Sequence, residues 1–171
     1  MSDEQPILEN ATTSDARDEF FELATFAELK VMIDGFNRDC PRPNMDPIQV
    51  SDPVVLQSGY LQKIEGRSSS GVYILMTEKS EVLYIGKASG GRRIEQRLRE
   101  HFDKSGKLKA EKSKWPGLPK HIAVIALPIG HEFEAPAIEE FLILKCGGFH
   151  QIGNTGDRAV RCLGKLFGES P

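Results

Sequence analysis

Two short apolar segments constrain this fold more than any other feature. Residues 71–76 read Gly-Val-Tyr-Ile-Leu-Met and residues 82–86 read Val-Leu-Tyr-Ile-Gly, with the polar run Thr-Glu-Lys-Ser-Glu between them. Each segment is too short for a self-sufficient helix and is rich in β-branched and aromatic side chains. The polar run has the length of a turn, so the pair reads as an antiparallel hairpin. A four-residue loop over 77–80 pairs Met76 with Glu81 and sets Tyr73 directly opposite Tyr84. Directly opposed residues share a sheet face, so two phenols are expected side by side. Taken alone, such a pair is most simply a cross-strand contact that stabilises the hairpin.

The flanking sequence supplies the other layers. Residues 93–103 carry Ile94, Leu98 and Phe102 at helical spacing after the glycine-rich turn 88–92. Residues 121–127 form an apolar strand, and residues 135–145 a helix with Pro136 in its first turn, where proline is tolerated. This β-β-α-β-α order predicts an α/β (α+β) domain with a small, mainly antiparallel sheet flanked by helices. Upstream, residues 54–64 read as an irregular strand and residues 67–70 as a turn. Ser14 is placed to cap a first helix carrying Phe20, Phe21 and Leu23. Thr25 and Glu28 have the spacing of a capping box before the stripe Leu29, Met32, Ile33, Phe36, and Gly35 lies near the stop. Pro41, Pro43, Pro47 and Pro53 make residues 39–53 an extended connector. The expected organisation is a flexible acidic lead over 1–13, N-terminal helices and connector over 14–53, and the main domain over 54–171.

Composition narrows the class. A chain of 171 residues, 39% hydrophobic and 27% charged, is neither disordered nor fibrous, and it has no apolar run of membrane-spanning length. A cytoplasmic setting without membrane contact is the expectation. Three cysteines make no disulfide framework. Cys146, His150 and Cys162 fall short of the four tightly spaced ligands of a closed zinc site. The net charge of −3 disfavours nucleic acid until it is mapped. Residues 1–34 hold nine acidic and two basic side chains, whereas residues 87–120 hold eleven basic and four acidic ones. A local stripe of that kind is what phosphate binding needs. Its cations include Lys87, Arg92, Arg93, Lys104, Lys107, Lys109, Lys112 and Lys114.

Two helices then bring chemistry toward the hairpin. At about 100° per residue, Arg97 and His101 border the buried stripe around Ile94. On the last helix Glu139 borders the stripe of Ile138 and Leu142, while Glu140 points about 100° further round, into solvent. A border carboxylate can reach a shared site with its charge intact. Gly86-Lys87-Ala88-Ser89 lacks the leading glycine of a phosphate loop, and His131-Glu132 lacks the second histidine of a zinc protease.

Gly71-Val72-Tyr73, followed eleven residues later by Tyr84-Ile85-Gly86-Lys87, resembles the defining motif pair of the GIY-YIG nucleases. The segment around Arg97 and His101 resembles that family's arginine helix. Residues 139–143 resemble its metal-binding glutamate helix, and Asn154 is similar to its terminal asparagine. The resemblance covers residues 71–154. Histidine at 101, where many members carry tyrosine, resembles the restriction-enzyme branch. Asn154 is approached without the proline that many members place before it.

The resemblance implies an endonuclease that hydrolyses DNA phosphodiester bonds with one Mg²⁺, or Mn²⁺ in its place, held by Glu139. Tyr73 would position or deprotonate the water, Tyr84 would complete its surroundings, and Arg97 would offset developing charge. His101 would relay a proton or bind phosphate, and Asn154 would hold Glu139 or Lys87 in place. Restriction-like, mobile-element and toxin roles all fit such a domain. A homodimer accords with the first and an immunity protein with the last. A nucleic-acid-binding module with a decayed active site is the alternative from another class.

Overall fold

The computed structural model describes residues 23–109, 115 and 117–146. Its elements are α1 (Phe26–Asp39), β1 (Val54–Val55), α2 (Tyr60–Lys63), β2 (Gly71–Met76), β3 (Val82–Ala88), α3 (Ile94–His101), β4 (His121–Ala126) and α4 (Ala135–Lys145). A 3-10 turn over Glu132–Glu134 leads into α4. The four strands form one antiparallel sheet in the order β1-β4-β2-β3. This is the expected α+β architecture, with helices on both faces of the sheet. No helix among the described residues is long and apolar enough to cross a membrane.

One face is aliphatic. Val72, Ile74 and Met76 of β2, Val82 and Ile85 of β3, and Ala123 and Ile125 of β4 pack there beneath α1 and α4. Leu29 and Ile33 are the buried residues of α1, and Met32 and Phe36 flank them. The capping box is formed: the Glu28 N–H donates to Thr25 Oγ1 and the Thr25 N–H to Glu28 Oε2. Gly35 lies four residues before the end of the helix, which runs on to Asp39, with Ile33 and Phe36 packed on either side of it. The connector after it is held in place. Asn37 exchanges hydrogen bonds of 2.9 and 2.8 Å with the backbone of Ile48, and Arg42 is paired with Glu134 at 2.9 Å.

The opposite face carries Tyr73, Leu75 and Ala88 against Ile94 and Leu98 of α3 and Phe102 just after it. It also shows where the sequence misleads. Residues 54–64 do not form one strand. Only Val54 and Val55 pair, with β4, and Gly59 at φ 76° then turns the chain into α2, which buries Tyr60 and Leu61. Apolar runs of this length do not distinguish strand from helix. The proposed first helix carrying Phe20, Phe21 and Leu23 lies mostly outside the described residues, as do residues 110–114, 116 and 147–171.

Candidate active site

Tyr73 and Tyr84 share a face, but they are not directly opposed. Tyr73 pairs with Gly86 and Tyr84 with Leu75. Two one-residue shifts separate this register from the expected one. The loop takes in Glu81, so Met76 pairs with Val82, and Leu83 is then an extra residue opposite no partner on β2. One shift would exchange the faces; two restore them. The phenols therefore lie diagonally, with ring centroids 5.9 Å apart. Gly86 makes room for them. A Cβ there would lie 2.5 Å from the Tyr73 hydroxyl and 2.7 Å from the Tyr84 ring, so the motif's second glycine is required by space.

α3 crosses this pair. His101 is 5% exposed, and its Nε2 is 2.8 Å from the Tyr73 hydroxyl. Trp115 closes the cluster, 5.3 Å from both the Tyr84 and His101 rings. Burial pushes both phenols above the usual tyrosine range. Tyr84 raises Tyr73 further, while the Arg97 guanidinium opposes the shift in both. Neither phenol ionises at neutral pH in this environment. Arg97 is half-buried and bonded to Glu100, which also pairs with Arg92 at 3.2 Å.

A second group reaches the same place from the other face. β3 is an edge strand of the sheet, and α4 packs beside it on the aliphatic side. Lys87, whose partner in the ladder is Val72, meets Glu139 of α4 there. The Glu139 side chain is 14% exposed, whereas Glu140 faces solvent, as the helix geometry predicts. The Glu139 charge also acts on both tyrosines, and that of Lys87 on Tyr84, so the two groups converge around the edge of β3.

The structure thus brings together Tyr73, Tyr84, Lys87, Arg97, His101 and Glu139. Asn154, Lys112 and Lys114 lie outside the described residues. Arg92, Arg93, Lys104, Lys107 and Lys109 are exposed, and Lys109 Nζ donates to the Arg99 carbonyl at 2.6 Å. Sequence reasoning missed two participants. Glu100 stands three residues after Arg97, a spacing at which helix side chains pair, so it was within reach. Trp115 arrives from a distant loop and leaves no local signal.

Among the described residues no three His, Cys, Asp or Glu side chains gather as a metal-ligand cluster. Glu139 is held by a lysine alone, whereas the other carboxylate here, Glu100, is taken up by Arg92 and Arg97. One charged oxygen donor suits a hard ion that keeps waters and substrate oxygens as its other ligands.

Residues 69–145 match the family model of the GIY-YIG catalytic domain. That span is just under half of the chain and holds every residue of the convergence. No curated protein and no solved structure gives a match. With the paired motifs on adjacent strands and the arginine and glutamate helices on either side of their edge, the chain contains a GIY-YIG catalytic domain, that of an endonuclease, a hydrolase of phosphodiester bonds.

Proposed function

We propose that the chain is a Mg²⁺-dependent DNA endonuclease of restriction-like type, with Mn²⁺ able to replace Mg²⁺. The observation that carries this reading is the convergence at the β3 edge of the Tyr73–His101 pair from one face and Lys87–Glu139 from the other. Residues 54–171 would form the nuclease domain, preceded by an acidic lead over 1–13 and helices with a connector over 14–53.

Catalysis must deliver a proton acceptor for water, offset charge on phosphorus and stabilise the leaving oxygen. A buried neutral phenol is a poor base. Its contact with His101 removes the difficulty. As water attacks phosphorus, its proton passes to the Tyr73 oxygen while the Tyr73 proton passes to His101 Nε2, so no phenolate accumulates. The bond from phosphorus to the leaving oxygen breaks in the same displacement. Tyr84, tilted against Tyr73, confines the water. Arg97 offers planar donors to the phosphate once substrate competes with Glu100 for it. Glu139 would hold the metal, with Asn154 supporting it or Lys87. A bound divalent ion supplies Lewis acidity at the phosphate and the leaving oxygen. Lys87, released from Glu139, then meets the phosphate.

Incubation of supercoiled plasmid with Mg²⁺, Mn²⁺ or EDTA tests this directly. Cleavage is expected in the metal arms alone. Tight binding of the plasmid without cleavage in any arm would replace the nuclease by a binding module. A long defined DNA is expected to yield discrete fragments. A smear, with harm to a host relieved by an immunity protein, would replace restriction by a toxin role.

A further inference from the structure

β2 begins and β3 and β4 end at one end of the sheet, because Gly71 pairs with both Ala88 and Ala126. A cavity of about 940 Å³ opens there. Ser68, Ser69 and Ser89 line one side of it, and Ile129 and Phe133 the other. None of the catalytic side chains described above lines it. Its floor is fixed by backbone: the Ile94 N–H donates to the Ser69 carbonyl at 2.9 Å, and the Leu127 N–H to the Ser70 carbonyl at 2.9 Å. The Ser70 hydroxyl donates to the Arg92 carbonyl at 3.0 Å.

The apolar wall is conspicuously uncovered. Ile129 is 98% exposed on a turn made by Gly130 at φ 89°, and Phe133 is 73% exposed. Exposed apolar surface beside a polar cavity marks a binding face. Its place in the fold identifies what binds. Arg93, the N-cap residue of α3, lines the cavity four residues before Arg97, and Pro136 lines it three residues before Glu139 on α4. Residues three or four apart share a helix face, so on α4 the cavity adjoins the side that carries Glu139. A helical turn rises about 5.4 Å, and a DNA strand advances about 3.4 Å per nucleotide. A cavity one helical turn from Glu139 is therefore within reach of a nucleotide one or two steps from the cut. Glu132 also lines it. Backbone N–H groups of Glu132 and Gly130 hold that carboxyl below its usual range, so it is an ionised acceptor. A carboxylate repels a phosphate but accepts a hydrogen bond from the amine of a base.

We infer that this cavity receives one unstacked nucleobase of the DNA substrate, carrying an exocyclic amine, with Phe133 and Ile129 against its ring and Glu132 on its amine. Arg93 meets the adjoining backbone phosphate. The inference rests on the nuclease reading above and adds to it a subsite that selects among bases near the cut.

The test is a scan of 30-base-pair DNA duplexes, each with a single abasic residue at one position around the cut. Single-turnover cleavage by the parent is compared with Phe133→Ala and Glu132→Gln; both residues are on the surface. One position is expected to cost the parent about tenfold when abasic, the scale of one lost base–aromatic stack. Phe133→Ala should show that loss on the intact duplex and no further loss on the abasic one. Where that base is guanine, hypoxanthine, which lacks the amine, should penalise the parent more than Glu132→Gln, whose neutral amide oxygen accepts more weakly than a carboxylate. Equal penalties in parent and Phe133→Ala at every position would overturn the inference while leaving the nuclease reading intact. The same duplexes, titrated by fluorescence anisotropy in EDTA, read the subsite independently of cleavage. A parent that neither cuts nor binds them would overturn both.

Discussion

The two faces of the sheet are built from the same strands and hold different chemistry. Beneath α1 and α4 the buried side chains among the described residues are apolar, mostly aliphatic, with Phe26, Phe36 and Phe141 at the rim. Beneath α3 the face turns aromatic and polar: two phenols and an imidazole with ring centres 5.7–5.9 Å apart, and an indole 5.3 Å from Tyr84 and from His101. The first face secures the fold by burial. The second holds groups whose burial is costly unless they find partners, and the Tyr73–His101 contact is such a partnership. Stability and chemistry are thus segregated across one sheet, and they meet only at the edge of β3, where Lys87 and Glu139 reach round from the aliphatic side.

The sharpest way to break this comparison lies at that meeting point. Glu139→Gln should reduce single-turnover cleavage by at least about 10²–10³, the scale of one lost electrostatic group, while thermal melting and DNA binding in EDTA hold or improve. Glu140→Gln should retain most activity, because Glu140 faces solvent. The reverse ranking would mean that α4 presents another face to the site.

A pair of core substitutions separates the faces themselves. Ile74→Ala, on the aliphatic side, should cost about 2–5 kcal/mol in denaturant unfolding with cleavage retained well below the melting temperature. Gly86→Ala should show the opposite balance. The added methyl meets both phenols, a clash of the kind that costs about 1–3 kcal/mol, and displacing Tyr73 from His101 should lower cleavage by more than tenfold. Equal losses of activity in the two variants would dissolve the segregation.

The smallest effect is expected from the exposed lysines. Replacing Lys107, Lys109 and Lys112 together by Gln should leave the melting temperature within a degree or two. The slope of log affinity against log salt should flatten by about 0.9 for each phosphate contact removed. An unchanged slope would move the DNA to another surface.

Much of this was legible beforehand because it rests on local periodicity. Helical spacing separated Glu139 from Glu140 and set Arg97 and His101 beside the buried stripe, and turn composition located the hairpin. What stayed hidden depends on tertiary context. Val82, Leu83 and Ile85 are all apolar and all buried, so no alternation betrays the extra residue at Leu83. The short pairing of Val54 and Val55 with β4 is a contact between segments far apart in sequence. Trp115 reaches the site across the basic loop, and the pairing of Glu100 with both Arg92 and Arg97 was visible only in part, since only Arg97 stands at helical pairing distance.

The irregularity at Leu83 also sets where the chain can change length. Val82 and Tyr84 are two apart, yet they face opposite sides, one toward the aliphatic core and the other toward the aromatic cluster. Before Tyr84, the loop and the unpaired residue form a slack region in which an insertion or deletion leaves the downstream strand in step. After Tyr84 there is no slack. One residue gained or lost between Tyr84 and Lys87 would turn Lys87 away from Glu139 and remove the opening that Gly86 leaves opposite Tyr73. Length variants on the two sides of Tyr84 should therefore differ in kind, silent on one side and lethal to the chemistry on the other.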